Sequence, residues 1–251
     1  MIPNYYCREI LPKEKLNYVR KLITAPTVDW KDGAISMRAG AYDTKLPDYG
    51  STQKKLFETL NQDVFSIIMS EVDKDVNFTS MVTPRRTDQA MISKIEEGGY
   101  YRCHLDNEFN GHYSTTLFLS EPEDYKGGEL QLLIDGQVKN IKLKAGWGVT
   151  YSTGIPHQVL SVTEGVRYAS VFWSKSLITD PFIREIYHSV TNIQQKLTNS
   201  GYIDKVHTDI KEFVDDPRVE LAMLKKVSTT ASTFLAVVIP TLEYTGTHII
   251  P

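Results

Sequence analysis

Cysteine is scarce in this chain of 251 residues: only Cys7 and Cys103 occur. Two distant thiols cannot make a disulfide framework, so a small disulfide-stapled fold is excluded and a reducing compartment is expected. Basic runs are also lacking. No stretch of five or more Lys or Arg occurs, and the net charge is −3, which gives no electrostatic footprint for nucleic acid. Long apolar runs are absent too. The longest late one, residues 234–239, falls far short of a membrane span, and Met1-Ile2-Pro3-Asn4-Tyr5-Tyr6-Cys7 has neither the basic start nor the apolar run of a secretion signal. The expectation is a soluble, cytoplasmic protein with no nucleic-acid or membrane partner. A hydrophobic content of 41% is ample for a buried core and excludes disorder.

Pattern divides the chain into three parts. Pro12 opens a stretch in which Leu16, Val19 and Leu22 or Ile23 recur at helical spacing, predicting a helix over about 12–24. A turn-rich connection through Gly33, Gly40 and Pro47-Asp48-Tyr49-Gly50 leads to a second predicted helix with Leu56, Leu60, Val64 and Ile67 or Ile68 on one face. From about residue 89 to 175, short β-branched and aromatic segments alternate with Gly, Pro, Asp and Asn. Strands are expected at 90–95, 100–106, 114–119, 129–134, 138–143, 148–151, 157–162 and 167–174; eight such strands suit a double-sheet jelly roll. Helical periodicity returns after Lys175, with Asp180 as N-cap, Pro181 as first helical residue, and Phe182, Ile186, Val190, Ile193 and Leu197 on the apolar face. Residues 202–216 and 217–238 read as mostly helical. The fold class is therefore α+β with a mainly β core, a double-stranded β-helix (jelly roll) flanked by N- and C-terminal helices. Its expected parts are a helical support at 1–88, the catalytic core at 89–176 and a helical extension at 177–251.

Chemistry concentrates at His104 and Asp106 in Tyr101-Arg102-Cys103-His104-Leu105-Asp106-Asn107. Alternate residues of a strand share a face, so the two side chains would project together. A lone His-x-Asp pair is weak, since a solvated strand face produces it by chance. Here the pair lies in a β-rich segment, His157 begins another predicted strand, and Arg167 follows on the next. Two imidazoles and one carboxylate make the facial triad that holds Fe(II) and leaves about three coordination positions open.

At these residues the chain resembles the Fe(II)- and 2-oxoglutarate-dependent dioxygenases, in their prolyl-4-hydroxylase-like branch and most closely the bacterial PKHD-type hydroxylases. The resemblance spans most of the chain. It runs through Trp30-Lys31-Asp32-Gly33, Glu97-Gly98-Gly99-Tyr100-Tyr101, Ser114-Thr115-Thr116-Leu117-Phe118-Leu119, Asp124-Tyr125-Lys126-Gly127-Gly128-Glu129-Leu130 and Ala169-Ser170-Val171-Phe172-Trp173. It implies that His104, Asp106 and His157 bind Fe(II), and that Arg167 pairs with the distal carboxylate of 2-oxoglutarate through its planar fork. It also implies O2 as co-substrate, ascorbate as reductant, and Thr116 and Tyr101 as pocket residues. By ideal alternation Tyr101 would face away from His104, so a bulge is needed to turn it inward. Asn107 is read as a turn residue that could meet substrate. Where many animal relatives carry a tyrosine, this chain has Ile95 or Lys94. Retention of Asp106 favours hydroxylation over halogenation.

The implied reaction is hydroxylation of an unactivated C–H, on a prolyl or other amino-acid side chain of a peptide or protein. A free amino acid or small metabolite is the alternative substrate. A non-catalytic jelly-roll module that binds metal and 2-oxoglutarate is the contrasting class, set against the separate cation at Arg167. His112, His188, His207 and His248 lack metal-spaced partners and read as surface residues; Cys103 reads as a small buried filler facing away from His104. Phe182, Ile186 and Val190 read as core, Trp147 and Trp173 as packing anchors, with Trp173 lining the pocket if its phase is right. Gly127 and Gly128 read as a tight turn. The pattern sets no oligomeric state and assigns residues 202–251 no role.

Overall fold

A computed structural model describes residues 3–33, 53–88, 90–106 and 111–199. The elements are β1 (Tyr5–Glu9), α1 (Lys13–Ile23), β2 (Lys31–Asp32), β3 (Gln53–Leu60), α2 (Gln62–Val72), α3 (Val76–Val82), β4 (Pro84–Thr87), β5 (Met91–His104), β6 (Tyr113–Phe118), a 3-10 turn (Pro122–Asp124), β7 (Tyr125–Gly127), β8 (Leu130–Ile134), β9 (Gln137–Ile141), β10 (Trp147–Ser152), β11 (His157–Val159), β12 (Val162–Gly165), β13 (Arg167–Ser176) and α4 (Pro181–Asn199). They form two compact units. Of the described residues, one comprises 3–33, 53–75, 86–88, 90–106 and 111–175; the other comprises 76–85 and 176–199.

In the larger unit the strands run in the order β1-β10-β6-β13-β5-β11-β8-β9, with β3 also paired to β5 and β2 to β3. All the registered pairs of this unit are antiparallel, and the sheet curls into a jelly roll. The long β5 carries the curl: its first half lies between β13 and β3, and its end pairs with β11. Between these halves Leu56 faces Ile95 while Lys54 faces Tyr100, so β5 uses five steps where β3 uses two. Gly98, at φ 78°, lies in this bulged stretch. Phe118, Leu130, Leu132, Ile134, Ile141, Val149 and Tyr151 make a core cluster. Alternation produces it directly, because Leu130, Leu132 and Ile134 are buried while Leu133 is exposed.

Helix α1 buries Leu16, Val19 and Ile23 as its spacing predicts, and it ends with Arg20 and Lys21 in the last turn, where cations suit the helix dipole. The second predicted helix needs correction. Leu56 and Leu60 lie on strand β3, and only Val64, Ile68 and Val72 form the buried helical face of α2. Asn61 is the divider: its side chain accepts hydrogen bonds from the backbone N–H groups of Asp63 and Val64, both at 3.0 Å, and caps α2. The two predicted strands at 90–95 and 100–106 are one strand, β5, and the single strand expected at 157–162 is split into β11 and β12. Strands β1, β2, β4 and β7 and helix α3 were not anticipated.

In the smaller unit, Asp180 caps α4 by accepting from the Ile183 N–H at 3.0 Å, as predicted. The buried face of α4 differs from the predicted one. Phe182 is 68% exposed and Ile193 is 38% exposed, whereas Arg184, Tyr187 and His188 are buried. Hydrogen bonds make this possible: Arg184 donates to the carbonyls of Ile178 and Thr179 at 2.6 and 2.8 Å, so a polar residue is buried on a face that apolar periodicity does not mark. Leu197 has no described side chain. His188 is corrected from surface residue to buried residue. Its Nδ1–H donates to Ser80 Oγ at 3.2 Å, and its Nε2 accepts from the Asn192 amide at 2.8 Å. The Ser80 hydroxyl spends its own proton on the Asn77 carbonyl, which fixes the tautomer. The readings of Gly40, 47–50, Asn107, His207, 202–216, 217–238 and His248 lie outside the described residues.

Candidate metal centre

His104 closes β5 and His157 opens β11, and the two are paired across the strands. Their ring centroids are 4.2 Å apart. Asp106 lies just past the end of β5 rather than on it. Its carboxylate nevertheless reaches the same point, with Oδ1 3.7 Å from His104 Nε2 and Oδ2 3.6 Å from His157 Nε2. Leu105 between them points outward, 59% exposed. Ligand atoms of the three residues lie within 4.8 Å of one another, the one such group among the described residues.

Hydrogen bonds select the tautomers. His104 Nδ1–H donates to the Arg102 carbonyl at 2.9 Å, and His157 Nδ1–H to the Ile155 carbonyl at 3.0 Å. A carbonyl can only accept, so both protons sit on Nδ1 and both Nε2 lone pairs face Asp106. Burial, and then the neighbouring His157, push the His104 pKa below the usual imidazole value, which favours the neutral form that binds metal. Ser114 on β6 donates its hydroxyl to Asp106 Oδ2 at 2.5 Å and aims the carboxylate. This residue type in a Ser-Thr-Thr strand carries no sequence signal for that role.

Tyr101 turns its ring toward His104. On β11, His157 to Val159 is two steps; opposite them on β5, His104 to Tyr101 is three. The extra residue is a bulge, and it brings the Tyr101 ring to 4.3 Å from His104. Burial, then Glu58 and Asp106, drive the Tyr101 pKa upward, so it remains a phenol. Cys103 is exposed, not the buried filler expected: among the described residues none shields this strand end from solvent.

Arg167 opens β13 with only 2% of its surface exposed. It shares a face with Ala169, Val171 and Trp173, and the last three lie opposite Phe118, Thr116 and Ser114 of β6. Its guanidinium carbon is 5.2 Å from the Phe118 ring and the group meets the Tyr125 hydroxyl, while Nε and Nη2 have no well-aligned acceptor among the described residues. Buried guanidinium N–H groups left open are costly, and a ligand carboxylate is the chemistry that satisfies them. Thr116 is 4% exposed on the same face. Its hydroxyl engages the phenol of Tyr151, whose pKa burial raises. Tyr151 stacks edge-on against His157 at 5.1 Å. Trp173 has the phase that puts it on this inner face, opposite Ser114. His112 is not among the grouped ligands.

The donor set and the buried cation fit an Fe(II) ion and a dicarboxylic co-substrate. Residues 90–175 match the 2OG-Fe(II) oxygenase superfamily. A PKHD-type hydroxylase of Rippkaea orientalis is 32% identical over 197 residues, covering 75% of this chain and 86% of that protein. The chain belongs to the 2OG-Fe(II) oxygenases of the PKHD type, and it is a 2-oxoglutarate-dependent dioxygenase. The fold agrees with solved structures of low identity. A Trichoplax adhaerens prolyl hydroxylase, in complex with a hypoxia inducible factor peptide fragment, has a TM-score of 0.51 at 14% identity, covering 69% of this chain and 84% of that one. HygX of Streptomyces hygroscopicus, with nickel, 2-oxoglutarate and hygromycin B bound, has a TM-score of 0.52 at 10% identity, covering 71% and 85%. The family uses Fe(II) and 2-oxoglutarate. Among the described residues no helix is long and apolar enough to cross a membrane.

Proposed function

We propose that this dioxygenase hydroxylates an unactivated C–H of a prolyl or other amino-acid side chain in a peptide or protein. In this reading His104, Asp106 and His157 hold Fe(II), Arg167 holds the distal carboxylate of 2-oxoglutarate, and Tyr101 and Thr116 line the pocket between them. One observation carries it: three metal-ready donor groups and a buried guanidinium whose Nε and Nη2 lack a well-aligned acceptor among the described residues occur in one jelly roll. Bound Fe(II), with 2-oxoglutarate and O2, supplies oxidation of C–H to C–OH while 2-oxoglutarate leaves as succinate and CO2.

The chain's own residues do the positioning. The Arg102 and Ile155 carbonyls orient the two imidazoles, and Ser114 orients the carboxylate. The Tyr101 ring covers one side of His104 and limits access of water there. Core residues 89–176 carry the catalytic constellation in this reading. The two free thiols, Cys7 and Cys103, support a reducing compartment such as the cytoplasm.

The PKHD-type relative and the peptide carried by the Trichoplax prolyl hydroxylase support a peptide substrate. The hygromycin B held by HygX supports the second reading, a small-molecule substrate. Incubation with Fe(II), 2-oxoglutarate, O2 and a library of proline-containing peptides separates the two. A peptide that gains one oxygen while succinate accumulates, with His104→Ala inert, is the expected result. Succinate formation stimulated by free amino acids and by no peptide would overturn the peptide assignment.

A further inference from the structure

Three of the nine large apolar side chains that the described residues leave exposed stand in one row beside the metal centre: Leu105, 59% exposed, Leu133, 43%, and Val138, 57%. Strand register places them. His104 pairs with His157, His157 with Leu132, and Leu132 with Lys139. One residue further along each strand, in the direction in which β5 ends, come Leu105, Pro156, Leu133 and Val138. Alternation turns Leu105, Leu133 and Val138 to the face opposite the imidazoles and the buried Leu132. The backbone fixes the level: the Leu133 N–H donates to the Pro156 carbonyl at 2.9 Å, and Leu133 pairs directly with Val138.

A second row runs beside the first on the same face, about 7 Å away on the far side of the His157 level. It is made of amides. Gln158 donates to Gln131 Oε1 at 2.6 Å, and Gln131 donates to Asn140 Oδ1 at 2.7 Å. A side-chain amide has two N–H donors and an oxygen with two lone pairs, so these bonds leave capacity for a backbone lying across them. Neither row contains a charged residue, in a chain of which 24% is charged.

The apolar row is one side chain wide and crosses four strands, roughly 14 Å from Leu105 to Val138 at about 4.8 Å per strand. That is the footprint of an extended chain. A second copy of this protein held here would need about 800 Å² on each partner, far more than one row of side chains supplies. The row also starts at the site, because Leu105 lies between His104 and Asp106, and exposed apolar surface next to a site marks what the site binds. We infer that this rim of the sheet docks the peptide substrate on one side of its target residue, the apolar row taking apolar side chains and the amide row the peptide backbone; the inference rests on the peptide reading given above. An extended peptide spans about 3.3 Å per residue, so the side chain received by Leu133 and Val138 stands about three to five residues from the target.

The double variant Leu133→Thr, Val138→Thr tests it, since threonine suits an exposed strand. The full Fe(II)-loaded chain and the variant are each incubated with 2-oxoglutarate, O2 and a randomised library of proline-containing peptides, and the peptides that gain oxygen are sequenced by mass spectrometry. With the unsubstituted chain, leucine, isoleucine, valine and phenylalanine are expected to be enriched about ten-fold at a fixed offset on one side of the hydroxylated residue. The variant is expected to lose that enrichment while forming succinate without peptide at the parent rate. No enrichment by the unsubstituted chain, or equal enrichment by both proteins, would overturn the inference. Sedimentation that finds a dimer dissociated by the double substitution would also overturn it, since a second copy then covers the row. If the unsubstituted chain adds oxygen to no peptide, the peptide reading itself fails and this inference with it.

Discussion

Ser114 donates its hydroxyl to the Asp106 carboxylate at 2.5 Å, and this bond ties the residue just past β5 to a rigid central strand. Without it the carboxylate can rotate away from the two Nε2 atoms it faces. Ser114→Ala is expected to weaken Fe(II) binding about 10–100-fold while leaving the fold intact. Fe(II) titration under anaerobic conditions checks this, and an affinity equal to that of the unsubstituted chain would remove Ser114 from the site.

The thiols differ in exposure. Cys103 is open to solvent, whereas Cys7 is half-buried with its pKa pushed up by burial. A thiol reagent is expected to label Cys103 rapidly and Cys7 slowly in the folded protein. Cys103→Ser should change stability by no more than about 0.5 kcal/mol. Slow labelling at both positions would restore the buried assignment of Cys103.

Gly127 and Gly136 share the left-handed backbone, at φ +68° and +73°, but differ in their surroundings. A Cβ on Gly127 would meet the Ser161 carbonyl oxygen at 2.1 Å; one on Gly136 would meet nothing within 4 Å. Each alanine substitution pays a conformational cost of about 1–2 kcal/mol, and Gly127→Ala adds the clash. Chemical denaturation should therefore find Gly127→Ala the less stable of the two; equal midpoints would contradict the close approach.

His188 links pH to stability. It is buried, both ring nitrogens are bonded in the neutral form, and burial holds its pKa below the ordinary value. The unfolded chain therefore takes up this proton first. Stability is constant well above about pH 6.5 and falls as the pH drops below it toward the folded-state pKa. Unfolding midpoints between neutral and mildly acidic pH should fall less steeply in His188→Gln than in the parent. An unchanged slope would show that this histidine takes no part.

The grouping of His104, Asp106 and His157 was legible because a His-x-Asp pair at strand spacing stands in a β-rich segment with a later histidine opening another strand; Arg167 was singled out through the family resemblance, and the β-rich segment was legible from its residue types. Tyr101 was legible only conditionally, since the bulge that turns it inward depends on its pairing with β11. Leu56 and Leu60 misled because their four-residue spacing runs unbroken into Val64 and Ile68, and only the Asn61 cap separates strand from helix. Ser114 and Tyr151 escaped notice for another reason. Ser114 reaches Asp106 across the segment that follows β5, Tyr151 meets Thr116 through the pairing of β10 with β6, and a hydroxyl in a strand looks the same whether it is packed or working. The face of α4 was misjudged because hydrogen bonds bury Arg184 and His188.

Equilibrium dialysis of Fe(II) and labelled 2-oxoglutarate, performed anaerobically on the full chain, on His104→Ala and on Arg167→Gln, tests the assignment of the centre most directly. The unsubstituted chain should bind one equivalent of each. His104→Ala should lose iron, and Arg167→Gln should keep iron and lose most of its affinity for 2-oxoglutarate. Retention of tight iron binding by His104→Ala, or of 2-oxoglutarate binding by Arg167→Gln, would contradict the assignment.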